Sequence, residues 1–155
     1  MTRRQGGVRR KAGLSAVAVA LAVSISSCSI LLGEPYPTSV EAQDIIGVWV
    51  DDGGGTWGKP GGQITFHADG TFEAVGFPEH FLRRTDSEQP ADGSGTWEIR
   101  EKIGSSTPRV HLNNDLDAGK HYGTSLSVRG VGSGLRLWAW YDLDRGDYYR
   151  LVKQE

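Results

Sequence analysis

The sequence predicts an all-β protein: a single small antiparallel up-and-down barrel of seven to eight strands, placed behind an N-terminal export segment and a tether. Three observations predict it. From about Asp44 onward, apolar residues fall into short alternating runs. Those runs are separated by glycine-rich turn signals, which is the pattern of consecutive antiparallel strands. No segment after residue 43 carries a convincing helical period, although PEHFLRRTD at 78–86 is compatible with one turn or two. Closure into a barrel is favoured over an open meander or sandwich, because it removes exposed sheet edges from a small secreted domain that has no disulfide.

The strands follow in order. IIGVWV at 45–50 is the first. In QITFHADGTFEAVGF, residues 63–77, Ile64, Phe66 and Ala68 alternate with Thr65 and His67. Asp69-Gly70 supplies a tight turn, and Phe72 and Ala74 resume the alternation, so the segment predicts a hairpin. TWEIRE at 96–101 sets Trp97 and Ile99 against Glu98 and Arg100, and PRVHLN at 108–113 repeats the pattern with Val110 and Leu112. TSLSVRG at 124–130 turns through VGSG into LRLWAWYDLD, and DYYRLVK closes the chain after Arg145-Gly146. The two GSG stretches, at 93–95 and 132–134, are both expected to be turns.

The N-terminus reads differently. Residues 1–13 carry Arg3, Arg4, Arg9, Arg10 and Lys11 with no acid, and residues 14–23, LSAVAVALAV, form a short apolar run. A cationic region, an apolar stretch of roughly 7–15 residues and a small-residue exit are the parts of an export signal. The run is too short for a spanning helix, which needs about 20 apolar residues. The general secretory route fits better than a twin-arginine one, since Arg3-Arg4 is followed by Gln5, Gly6 and Gly7. Residues 29–43 lack periodicity and contain Pro35 and Pro37, so they are expected to be a tether that holds the domain off the membrane.

Ile25, Ser26, Ser27 and Cys28 resemble the lipobox of bacterial lipoproteins, an aliphatic residue and two small ones before a cysteine. The resemblance implies cleavage between Ser27 and Cys28, a diacylated Cys28, and a chain anchored on the outer face of the cytoplasmic membrane. It divides the chain into a signal peptide at 1–27, a lipidated cysteine and tether at 28–43, and a barrel at 44–155. The chain has one cysteine, so an internal disulfide is excluded. Two acyl chains anchor stably where one does not, each buried methylene contributing about 0.8 kcal/mol.

Without residues 1–27 the chain keeps 12 basic and all 19 acidic residues, a formal net charge of −7. That balance argues against a nucleic-acid partner, which requires a basic face.

Several chemical motifs fall short. GGGTWGKP at 53–60 approaches a phosphate-binding loop, yet Pro60 stands where a hydroxyl is needed and a strand follows instead of a helix. DLDRGD at 142–147 gathers three aspartates without the distal bidentate acid of a calcium loop, and a hairpin turn with solvated aspartates is expected. His67, His111 and His121 have no metal-ligand spacing, and no nucleophile elbow is present. No catalytic residue, cofactor or metal is expected. The aromatic residues are more informative. In LRLWAWY, Leu135, Leu137, Ala139 and Tyr141 share one face and Arg136, Trp138 and Trp140 the other, next to Tyr148 and Val152. Either Trp138, Trp140 and Tyr148 form a surface contact patch, or a bulge, loop or the tether covers them.

The Gly47-Val48-Trp49 start, the second Gly95-Thr96-Trp97 and the repeated hairpins resemble a lipocalin-like small barrel. More closely, GTW, ITFHADGTF, a second GTW and the terminal WYDLD hairpin are similar to uncharacterised lipoproteins of actinobacteria. The lipocalin resemblance implies that Trp49 packs at the closed barrel base beneath a basic residue of the last strand, with Arg150 as the possible counterpart. The functional expectation is a non-enzymatic envelope module that binds a small apolar ligand or a partner. Phe66, Phe72, Trp97 and Leu137 would line an interior pocket or equally fill a closed core. The rivals are a hydrolase of envelope polymers using carboxylates, and an inhibitory or protective lipoprotein acting through loops 53–62 or 78–94.

Overall fold

In a computed structural model, residues 34–55, 62–87, 89–101, 107–116, 120–142 and 144–155 are described. The signal peptide, Ser27 and Cys28 lie outside these residues, as do residues 56–60 of the glycine-lysine loop.

Eight strands close into an antiparallel up-and-down barrel in which each strand pairs with its sequence neighbours and the last pairs with the first. They are β1 (Gly47–Asp51), β2 (Gln63–Phe66), β3 (Thr71–Pro78), β4 (Pro90–Glu101), β5 (Pro108–Leu116), β6 (Lys120–Arg129), β7 (Arg136–Asp142) and β8 (Asp147–Lys153). Two single-turn helices accompany them, α1 (Ala42–Ile45) and α2 (Glu79–Leu82). The topology sorts the connections to two ends. The base holds the start of β1, the end of β8 and the hairpins β2–β3, β4–β5 and β6–β7; the mouth holds the four other connections.

Alternation explains the core. Trp49, Ile64, Phe66, Phe72, Val110, Leu112, Leu126, Val128, Leu137 and Leu151 are all at most 1% exposed, each at an inward position of a strand whose next residue points outward. Burying each such side chain contributes about 1.5–3 kcal/mol. The β2–β3 hairpin forms as expected, with Phe66 opposite Phe72, but its turn is wider than two residues. The His67 N–H reaches the Thr71 carbonyl at 2.9 Å, and the Asp69 carboxylate takes both the Thr71 N–H (2.9 Å) and its hydroxyl (2.6 Å). The Asp69 side chain thus builds the turn, as short polar residues do.

One expected turn is a strand. Gly93-Ser94-Gly95 lies inside β4, paired with Ala74, Glu73 and Phe72 of β3. The glycines answer to crowding: a Cβ at Gly93 would sit 3.1 Å from the Leu82 side chain, and one at Gly95 would run into the Asn113 carbonyl. Gly132–Gly134, the other GSG, is a turn of 3-10 helix. PEHFLRRTD yields one helical turn, α2, whose Phe81 and Leu82 plug the mouth.

The compact unit that contains the barrel starts at Glu34. The Gly130 N–H donates to the Pro35 carbonyl at 2.7 Å, Arg129 donates to the Glu34 carbonyl at 3.4 Å, and its guanidinium lies 3.5 Å above the Tyr36 ring. The second half of the expected tether is therefore fastened to the β6–β7 corner, and the chain then passes through α1 into β1.

Candidate functional site

Three regions concentrate side-chain chemistry: the outer face of β6–β8, the base and the mouth.

On the outer face, Leu137 and Ala139 are fully buried, so the intervening Trp138 and Trp140 point out of the barrel. They are half-buried rather than free, and they are not alone. Trp138 stacks on Tyr148 with ring centroids 4.1 Å apart and planes within 3°. Trp140 tilts against both, at 5.5 and 5.4 Å. The Arg129 guanidinium sits between Tyr36 at 3.5 Å and Trp138 at 5.0 Å, contacts of a kind that contribute about 0.5–2 kcal/mol each. The two expected alternatives are thus both partly realised: the aromatics form one contiguous outward cluster, and the 34–36 segment covers its edge.

Arg150 extends this cluster. Its guanidinium grips Asp52 through two bonds of 3.0 and 2.8 Å and lies 4.0 Å from Glu34. Burial alone would raise the Asp52 carboxyl, but the Arg150 and Gly54 hydrogen bonds and the positive fields of Arg150 and Arg136 outweigh it and hold the group below its ordinary value. Arg150 therefore does not cover the base.

At the base, Trp49 is fully buried and its indole N–H donates to the Ile45 carbonyl at 2.7 Å. The basic residue beside it is Lys153, directly opposite Trp49 in the register. Its ammonium donates to the Gln43 and Asp44 carbonyls at 3.3 and 3.0 Å, groups that the single turn of α1 leaves unpaired. A cavity of about 260 Å³ opens here, lined by Gln43, Asp44, Trp49, Ser133, Leu135 and Lys153.

The expected pocket residues face the interior. Phe66 meets Trp97 edge-on at 5.4 Å and Phe72 at 6.5 Å, the Trp97 indole donates to the His67 carbonyl at 3.1 Å, and Leu137 joins the same buried core. These contacts are those of a packed interior.

The mouth holds features that the sequence did not single out. Phe81 of α2 packs on Phe77 and Tyr149, at 5.6 and 6.5 Å. Asn114, 1% exposed, gives its amide N–H groups to the Phe81 and Tyr122 carbonyls at 3.3 and 2.8 Å. Its side-chain oxygen and the Tyr149 hydroxyl are buried and meet no hydrogen-bond partner among the described residues. Burial and the Asp51 charge push the Tyr149 phenol well above its ordinary value. Asn114 occupies an inward position of an alternating strand, and a polar residue in that phase was the available signal.

The histidines are spread apart. His67 follows the end of β2, His111 shares a 3.0 Å bond with Ser125, and His121 lies 3.2 Å from Asp115. Among the described residues no group of three metal-binding side chains forms. DLDRGD is a hairpin turn in which Asp142 accepts the Arg145 and Asp144 N–H groups and the Arg145 guanidinium, which lower its carboxyl.

Compared with known protein families, curated proteins and solved structures, the chain matches none.

Proposed function

We propose that this chain is a lipoprotein of the bacterial cell envelope, exported and anchored by diacylated Cys28 to the outer face of the cytoplasmic membrane. Its barrel serves as a non-enzymatic binding module for a protein or polymer partner. The observation that carries the choice of an external partner is the filled interior: aromatic and aliphatic side chains occupy the barrel from Trp49 at the base to Phe77, Phe81 and Tyr149 at the mouth. A full barrel of eight strands offers its surface and loops rather than a lumen.

A second reading, a carrier of one small molecule that bears a hydrogen-bonding group, is favoured by the Asn114 oxygen and the Tyr149 hydroxyl, buried together with the α2 residues and lacking partners among the described residues. Native mass spectrometry of the protein purified from its own envelope separates the readings. The expected result is an acylated N-terminal Cys28 and no stoichiometric second molecule. A stoichiometric ligand overturns the external-partner reading in favour of the carrier, and an unmodified Cys28 overturns the anchor.

A further inference from the structure

The outer face of β6–β8 has a charge pattern that the fold does not require. The mature chain is strongly acidic, with 12 basic and 19 acidic residues, yet the register sets Arg129 of β6 directly opposite Arg136 of β7. Like charges in cross-strand register destabilise a sheet. Neither arginine is paired with a carboxylate among the described residues; they donate instead to the backbone carbonyls of Glu34 and Leu135 at 3.4 and 2.8 Å. Arg150 lies one row away, opposite Trp138. The same face holds Trp138, Trp140 and Tyr148, stacked on one another. The buried Trp138 Nε1–H and Arg129 Nε–H also meet no acceptor among the described residues. Arg150 is held by Asp52 and lies 4.0 Å from Glu34, so the cations of this face without a carboxylate partner among the described residues are Arg129 and Arg136; the pair, set among aromatic rings, is complementary to a surface of anionic oxygens. Aromatic side chains with one polar edge and arginines are also the residues that settle at the headgroup level of a bilayer.

The second observation is where the chain leaves the barrel. Glu34, Pro35 and Tyr36 are fastened to this same face by Arg129 and Gly130. From Cys28 to Glu34 there are six Cα steps, a reach of at most about 20–22 Å. A domain of this length is roughly 35 Å across. The tether is too short to pass around the barrel, so a lipid on Cys28 can bring down on the membrane this face or the adjoining base but not the far side, and of the two this face carries the arginines and the aromatic cluster.

We infer that the outer face of β6–β8, with Arg129, Arg136, Arg150, Trp138, Trp140 and Tyr148, is a membrane-contact face that seats the barrel on anionic lipid headgroups beside its anchor. The inference rests on the lipidation of Cys28 proposed above. It leaves the mouth, with α2 and its neighbouring loops, pointing to where a partner is met.

The test uses the mature chain from Cys28 onward, coupled through its only thiol to maleimide-bearing lipid in vesicles, so that anchoring no longer depends on acylation in the cell. Tryptophan fluorescence is read against a spin label on the lipid headgroup. In vesicles with about 30% phosphatidylglycerol, quenching is expected, and about 0.5 M NaCl should reverse it by screening. Phosphatidylcholine alone should give little quenching. The Arg129→Gln/Arg136→Gln double variant should lower the seated-to-free ratio about 25-fold, since each surface arginine contributes roughly a fivefold factor. Quenching that is equal in both vesicles, insensitive to salt or absent overturns the inference. The salt reversal in the unmodified chain needs no variant and stands even if the double variant is poorly folded. Failure of the lipidation reading shows separately, as an unacylated Cys28 in the cell-derived protein.

Discussion

At the base of the barrel no buried side-chain polar group near Trp49 goes unanswered among the described residues: its indole N–H reaches Ile45, and Lys153 takes the Gln43 and Asp44 carbonyls of α1. At the mouth a helix of the same length covers the interior, but it leaves the Asn114 oxygen and the Tyr149 hydroxyl buried without partners among the described residues. Both ends are closed by one turn of helix over aromatic side chains. The difference lies in satisfaction: the base is built for stability, whereas the mouth carries a polar cost that stability alone does not explain. Substitutions at the two ends should therefore differ in sign.

The largest effect is expected at the base. Trp49→Ala removes a fully buried side chain and its hydrogen bond, and should destabilise the domain by about 3–5 kcal/mol. Urea denaturation followed by far-UV circular dichroism measures it; a loss below about 1 kcal/mol would mean that α1 does not seal the base.

At the mouth the sign reverses. Tyr149→Phe deletes a buried hydroxyl without a partner among the described residues and keeps the ring against Phe77 at 5.2 Å. Stability should rise by about 1 kcal/mol, because an unsatisfied buried group costs roughly 1–3 kcal/mol. The folded-state phenol titrates above its unfolded value. This group therefore leaves stability independent of pH below about pH 10 and lowers it as pH rises from there through the folded pKa. The variant should lack this part of the alkaline decline, and an unchanged alkaline slope would show that the hydroxyl is solvated.

How far this contrast could be read in advance varied by residue. The two faces of LRLWAWY were legible, since strict alternation separates Leu137 and Ala139 from Trp138 and Trp140, but which face is buried was not, and the structure puts Leu137 and Ala139 in the core. The same alternation in DYYRLVK puts Tyr149, Leu151 and Lys153 on one face. The resemblance pointed to Arg150, whereas this phase sets Arg150 on the opposite face and Lys153 beside Trp49. α1 is a single turn, too short to show a helical period. Gly93-Ser94-Gly95 carries the composition of a turn, and only the neighbouring Leu82 and Asn113 explain glycine inside a strand. The docking of Pro35 and Tyr36 on Gly130 and Arg129 joins segments more than ninety residues apart in the chain; local pattern holds no trace of it.

A smaller effect is expected on the flank between the two ends. Asp52→Asn breaks the paired bonds to Arg150 and should cost about 1 kcal/mol near neutral pH, the scale of a partly exposed ion pair. The Asp52 carboxyl is held below its ordinary value. Its contribution is therefore present above the unfolded pKa of about 3.9 and lost as pH falls through the folded one. Wild type and variant should converge in thermal midpoint once pH falls below the folded pKa, and a gap that persists there would place the effect in packing.

The smallest effect returns to the base and asks whether its polar closure matters apart from its apolar one. Lys153→Met keeps most of the apolar stem beside Gly47 and Trp49 while removing the ammonium that bridges the Gln43 and Asp44 carbonyls. Those carbonyls are reachable by water, so the expected loss is only about 0.5–1 kcal/mol. Native-state hydrogen exchange localises it better than a global melt does: exchange of the Ile46 amide, which bonds the Ala42 carbonyl at 2.9 Å, should quicken severalfold while amides at the mouth keep their rates. If the mouth amides quicken equally, the two ends unfold as one unit, and the contrast between them is one of chemistry without being one of local stability.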